Sequence, residues 1–135
     1  RPKFYLFDLG VTSALLDRRE LPARSNAYGK AFEHFIALEI RAYLSYSRRQ
    51  EALTFWRSQS GMEVDFVIGD SLAIEVKASE SVPDRALKGL KAFIEEGISK
   101  RHIVVSKEAI KRKVGKIEIF PWNAFLDSLW KGELF

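Results

Sequence analysis

Two short runs of alternating polarity, separated by three turn residues, constrain this chain more than any other feature. Met62 to Ile68 places Met62, Val64, Phe66 and Ile68 on one face and Glu63, Asp65 and Val67 on the other. Leu72 to Lys77 repeats the pattern, with Leu72, Ile74 and Val76 opposite Ala73, Glu75 and Lys77. Gly69-Asp70-Ser71 between them is a turn signal. The runs predict an antiparallel hairpin in which Ile68 pairs with Leu72. Counting back along that register puts Asp65 opposite Glu75, with both side chains and Lys77 on one face. Carboxylates directly opposite one another have Cβ atoms about 4.5–5.5 Å apart and repel. Acids set inside runs as apolar as Val64 to Ile68 and Ala73 to Val76 are costly unless compensated, and such positions are often functional.

Two compensations fit. Lys77 neutralises the pair in a salt-bridge cluster, or a hard divalent cation such as Mg²⁺ sits between the acids. Mg²⁺ prefers oxygen ligands and commonly takes one or two carboxylates plus waters and a phosphate. Beside such an ion a lysine orients a water or stabilises charge developing on phosphate. Glu33, at the border of an apolar helical stripe between Phe32 and Ile36, offers a third carboxylate. Glu39 is expected on the outer surface of the same helix.

The rest of the chain supplies the frame. Tyr28, Phe32, Phe35, Ile36, Ile40, Tyr43 and Leu44 recur at helical spacing and predict a helix over 28–46, capped by Ser25 or Asn26. Leu53 to Trp56 is β-prone, and the Ser60-Gly61 turn joins it to the hairpin as a three-stranded meander. Ser81-x-x-Asp84 has the pattern of a capping box ahead of a helix carrying Ala86, Leu87, Leu90, Phe93 and Ile94, with Gly97 just past its end. His102 to Ser106 and Lys116 to Phe120 predict strands, and Trp122 to Trp130 an amphipathic helix. Phe4 to Phe7 reads as an extended segment and Gly10 to Leu16 as a short helix. This order predicts an α/β or α+β domain with a mixed sheet flanked by helices. A length of 135 residues suits one domain: a lead-in over 1–27, a motif-bearing core over 28–106, and a closing strand and helix over 107–135. The chain begins at Arg1 and reads as a piece of a longer protein.

Charge is unevenly spread. The net charge is +4, yet Lys100 to Lys116 holds seven basic residues and one acid, whereas Glu63 to Gly97 holds eight acids and four bases. A basic lobe beside an acidic one suits a polyanion-binding protein with a cation in its site. Lys111, Arg112, Lys113 and Lys116 are the candidate phosphate contacts; the bland reading is a solvated loop. Cysteine is absent, which excludes disulfides, thiolate zinc sites and cysteine nucleophiles and fits a reducing, cytoplasmic setting. His34 and His102 lack metal-ligand spacing. No uncharged run reaches the roughly 18 residues of a membrane helix. Trp56, Trp122 and Trp130 each sit in an apolar pattern and are expected in the core or between domains rather than stacking on bases.

The order Glu33, then Asp65, nine intervening residues, then Glu75-Val76-Lys77 resembles the PD-(D/E)XK nuclease superfamily. More closely, several segments resemble the uncharacterised domain at the C-terminus of prokaryotic AAA-type ATPases. These are Tyr28-Gly29-Lys30-Ala31-Phe32-Glu33, Trp56-Arg57-Ser58, Gly61 to Val67, Ile74 to Ser79, Leu6 to Gly10 and Phe120 to Leu126. The resemblance implies a restriction-endonuclease-like core in the order α-β-β-β-α-β and an upstream P-loop ATPase as partner. It also implies Mg²⁺- or Mn²⁺-dependent hydrolysis of DNA phosphodiesters, with no covalent cofactor. Asp65 and Glu75 would ligate the metal, Glu33 would complete the site directly or through water, and Lys77 would position the attacking water. The rival implication is a non-catalytic DNA- or protein-binding module that regulates the ATPase. Two departures stand out: Val64 replaces the superfamily's proline, and no glutamine lies between Pro83 and Gly97. Gly29-Lys30 lacks the flanking residues of a phosphate loop.

Overall fold

Apolar residues spaced three and four apart wind 26–46 into helix α1, Asn26–Tyr46, which buries Phe32, Phe35, Ile36, Ile40 and Tyr43. The structure, a computed structural model, describes residues 26–135. The Phe4–Phe7 and Gly10–Leu16 segments and the Ser25 cap lie outside the described residues. After α1 come β1 (Leu53–Arg57), β2 (Glu63–Ile68) and β3 (Leu72–Val76), then a 3₁₀ turn (Asp84–Leu87) and α2 (Lys88–Glu96). They are followed by β4 (Arg101–Ser106), β5 (Arg112–Val114), β6 (Ile117–Pro121) and α3 (Trp122–Trp130).

The strands form one six-stranded sheet in the order β1-β2-β3-β4-β6-β5. The meander β1-β2-β3 is antiparallel, with Ile68 opposite Leu72 as the turn predicts. From β3 the chain crosses through α2 to β4, which pairs parallel to β3, and β6 pairs parallel to β4. The result is a mixed α+β domain with its core in the order α-β-β-β-α-β. None of the described helices is long and apolar enough to cross a membrane.

Both faces of the sheet are covered. On one, Ile68, Leu72, Ile74, Val76, Ile103, Val105 and Phe120 pack under α1 and α3. On the other, Val64, Val67, Ala73, Val104, Ile117 and Ile119 pack under Leu87, Leu90 and Phe93. Every residue of β3 is therefore buried, as expected of a strand parallel to a neighbour and sandwiched by helices. Trp130 lies buried in the first cluster, and Trp122 and Trp56 are partly buried against the two clusters. Trp122 meets Phe35 edge-on, and Trp56 meets Phe93 edge-on.

Three local expectations change. Part of the basic segment is a strand, not a loop: Arg112–Val114 pairs antiparallel with β6 at the sheet edge. Ser81 and Asp84 form no capping box. Pro83 precedes the 3₁₀ turn without a side-chain cap, and Glu108 instead accepts the Val82 N–H at 2.7 Å. Glu39 is not on the surface. It is 1% exposed, and the Trp130 indole N–H donates to its Oε1 at 2.9 Å, pinning α3 to α1. Burial raises its pKa, and the indole bond only partly offsets that. The Gly97 expectation holds: it ends α2 in the left-handed region with φ 71°.

Gly89 is a point of close approach between α2 and β2. A Cβ there would lie 2.2 Å from the Glu63 carbonyl oxygen of β2. Alanine is otherwise the better helix former by about 1 kcal/mol. We expect Gly89→Ala nonetheless to destabilise the domain by about 1–3 kcal/mol through overpacking, read as a fall in the denaturation midpoint. A neutral or stabilising result would show that α2 shifts freely on β2.

Candidate functional site

The site begins with a fault in β2. Thr54 pairs with Val67 but Trp56 pairs with Val64, so Asp65 and Phe66 together face the single residue Phe55. A bulge of this kind re-aims the extra side chain. Val64 and Val67 consequently both belong to the cluster under α2, which strict alternation forbids. Uninterrupted alternation had placed Asp65 and Glu75 side by side on one face. The bulge brings them together differently, in the gap where β2 and β3 part.

The paired ladder of β2 and β3 ends at Phe66 and Ile74. Beyond it the side chains take over. The Asp65 N–H donates to Glu75 Oε1 at 3.0 Å, and the Val76 N–H donates to Asp65 Oδ2 at 2.8 Å. Each carboxylate thus satisfies a backbone donor of the opposite strand. Lys77 stays in line with the sheet because its N–H bonds the Val105 carbonyl at 2.9 Å. Its ammonium lies 3.2 Å from Glu75 Oε2.

The charges on these groups are strongly perturbed. Burial, and then the Asp65 charge, push the Glu75 carboxyl up to about 7. Burial also raises Asp65, against the opposing bonds from Val76 and Glu75 and the charge of Lys77. Glu33, half-buried on α1, is raised by desolvation and by Asp65, while Lys30 and Lys77 pull it down. The structure therefore brings Asp65, Glu75 and Lys77 into direct contact and sets Glu33 in their field. Among the described residues no group of three or more Asp, Glu or His side chains is gathered as a metal-binding set.

The basic candidates are divided. Arg112 is engaged: it holds Glu108 through two bonds of 2.8 and 3.0 Å and donates to the Val82 carbonyl. Lys111 lies 3.7 Å from Glu118 Oε1 and over the Phe120 ring. Lys113 and Lys116 are exposed and make no ion pair among the described residues. Sequence reasoning passed over Lys107 and Tyr28. Lys107 donates to the Tyr28 hydroxyl at 2.9 Å and lies over its ring. Its own N–H bonds the carbonyl of Ser79, two residues past Lys77. Tyr28 belongs to the apolar stripe and Lys107 to a run of seven basic residues, so nothing in the pattern links them.

With that geometry in place, residues 28–125 match the domain of unknown function DUF4143, and the chain belongs to that family. No curated protein and no solved structure matches it.

The raised Glu75 pKa makes stability pH-dependent. A carboxyl raised from 4.5 to about 7 on folding binds more protons in the native than in the unfolded state between those values. Its contribution is full below the unfolded value and is lost as pH rises through about 7. We expect the metal-free domain to lose on the order of 3 kcal/mol between pH 4.5 and 7.5 from this group. Glu75→Gln keeps an acceptor for the Asp65 N–H and should flatten that slope in denaturant melts across pH. An unchanged slope would place the titration elsewhere.

Proposed function

We propose that this domain is a nuclease-fold module that hydrolyses DNA phosphodiesters with Mg²⁺ or Mn²⁺ held by Asp65 and Glu75. The observation that carries the reading is the carboxylate pair: buried Glu75 against half-buried Asp65, both with raised pKa, beside a lysine. Once both acids are ionised the pair carries more negative charge than Lys77 alone neutralises, and hard oxygen donors suit a hard divalent cation. The order of Glu33, Asp65, Glu75 and Lys77 on helix, bulged strand and neighbouring strand supports the resemblance to the PD-(D/E)XK superfamily. The metal would supply Lewis-acid activation of a phosphoryl oxygen and a lowered pKa for a bound water. Lys77 holds a water or phosphate oxygen with the part of its ammonium not turned to Glu75. Glu33, which lies in the electrostatic field of Asp65 and Lys77, would complete the site directly or through a water. Lys111, Lys113 and Lys116 would contact phosphates without reading sequence, whereas Arg112 serves mainly to hold Glu108. The same resemblance supports an upstream ATPase as the natural partner.

A second reading has its own observation. Both carboxylates already accept a backbone N–H, and Glu75 already has Lys77, so the cluster is satisfied without metal. This favours a DNA- or protein-binding module that retains the acids as a structural junction.

Metal titration separates the two. A ligand that binds only the native state raises its melting temperature with concentration. Bound metal must displace the proton that Glu75 holds near neutrality, so the rise should grow as pH passes 7. We expect millimolar Mn²⁺ to stabilise the parent and not Glu75→Gln, and Mn²⁺-dependent nicking of plasmid DNA to vanish in Glu75→Ala. No Mn²⁺ shift in the parent at pH 8 would overturn the catalytic reading and leave the binding module.

A further inference from the structure

A second polar site lies at the other end of β4. Strands β3 and β4 run parallel, with Leu72 beside Arg101 and Val76 beside Val105. The carboxylate pair therefore stands at the Val76–Val105 end. At the Arg101 end a cavity of about 470 Å³ opens between the C-terminus of α2 and the start of β6. That size falls within the range of about 300–1,000 Å³ usual for small-molecule sites and exceeds what a lone inorganic ion would fill.

Its wall combines surplus positive charge with unmet hydrogen-bonding capacity. Lys100, Arg101, Lys113 and Lys116 line it, against one acid, Glu118. Glu118 is already held by Arg101 through bonds of 2.6 and 3.0 Å. The three lysines make no ion pair among the described residues. Two residues of the same wall, His102 and Ser99, each carry a buried side-chain atom, Nε2 and Oγ, without a hydrogen-bond partner among the described residues. His102 is 7% exposed. A buried polar group without a partner is unfavourable, and a ligand seated in this cavity would relieve both once the two side chains turn towards it.

We propose that this cavity binds a phosphate monoester carrying a small organic group. A phosphate dianion matches three unpaired lysines better than a monoanionic carboxylate does. Its oxygens accept from the Ser99 hydroxyl and from His102 Nε2 in the neutral tautomer that carries the proton there. Burial and Lys116 lower the His102 pKa, so the ring is neutral when empty and the charge comes from the lysines. The remaining volume, edged by Ile94, takes the organic part. This reading is independent of the nuclease proposal, because none of its residues touches Asp65 or Glu75. The monoester belongs either to a free nucleotide or to the 5′-phosphorylated end of a nucleic-acid strand.

Isothermal titration of the chain decides it, with adenosine 5′-monophosphate, adenosine, and a short single strand with and without a 5′-phosphate as probes. We expect the monophosphate to bind and adenosine not to. Lys100→Ala/Lys116→Ala, a change confined to exposed side chains, should weaken binding by about tenfold or more. His102→Phe, which fills the ring's space without the nitrogen, should weaken it while keeping the melting temperature at or above the parent's. Preference for the 5′-phosphorylated strand over the mononucleotide assigns the site to strand ends; the reverse assigns it to free nucleotides. Absence of binding by both phosphorylated probes overturns the proposal. So does binding that neither variant weakens, or equal affinity for strands with and without the 5′-phosphate when the mononucleotide does not bind.

Discussion

Glu75 is an acid in the middle of a strand whose every residue is buried, and the architecture around it follows from keeping that tolerable. A buried carboxylate needs hydrogen bonds or a counter-charge. β2 supplies the first by parting from β3, so that the Asp65 N–H turns to Glu75 instead of completing the ladder. Lys77 supplies the second from two residues further along. The bulge opposite Phe55 falls at the same point of β2 where its pairing with β3 ends. α2 holds β2 in that bent course by closing on the Glu63 backbone, where only a glycine fits. Packing, register and electrostatics thus converge on one junction.

Much of this was readable in advance because period-2 patterning and a turn fix strand register without tertiary knowledge. The Ile68–Leu72 pairing, and with it the approach of Asp65 to Glu75, required no more than parity and Gly69 to Ser71. The bulge was not readable. It exchanges one residue of register for a better bond geometry, and Val64, Asp65, Phe66 and Val67 look the same with or without it. β5 was missed for a related reason. Arg112, Lys113 and Val114 carry no alternating apolar signal, since an edge strand with charged side chains needs only a partner's backbone. Glu39 was misplaced because its acceptor role depends on Trp130, 91 residues away. Ser81 and Asp84 fit a capping pattern, yet the donor at Val82 is taken by Glu108 from beyond β4. In each case a long-range polar contact decided what a local pattern could not.

The direction of the strands then sorts the chemistry. In sheets with parallel strands, side chains and ligands gather beyond the carboxyl ends, where the crossover loops leave open space. Asp65, Glu75, Lys77 and the Lys107–Tyr28 contact all lie at that end of β3 and β4. The opposite end of β4 is tethered instead by backbone bonds: the Arg101 and Lys100 N–H groups donate to Ser71 and Asp70. The tether brings α2's left-handed Gly97 and the turn before β6 close together. The basic residues collected there come from turns and an edge strand, which tolerate long charged side chains where β3 does not.

The two ends also differ in how far their charges reach. Four residue steps of strand carry the chain from Leu72 to Val76, roughly 13 Å at about 3.3 Å per residue. The Debye length at physiological salt is about 8 Å. The lysines around the Arg101 end are exposed and so are screened over that distance. Glu75 is buried and Asp65 half-buried, and their perturbation needs no reach: desolvation raises both, the Asp65 charge raises Glu75 further, and the Val76 N–H and Lys77 act against the rise. The raised Glu75 pKa is therefore a local property of the β2–β3 junction. Filling or emptying the basic cavity would leave it in place, whereas restoring the strict ladder between β2 and β3 would take from each acid the backbone N–H bond that now holds its pKa down.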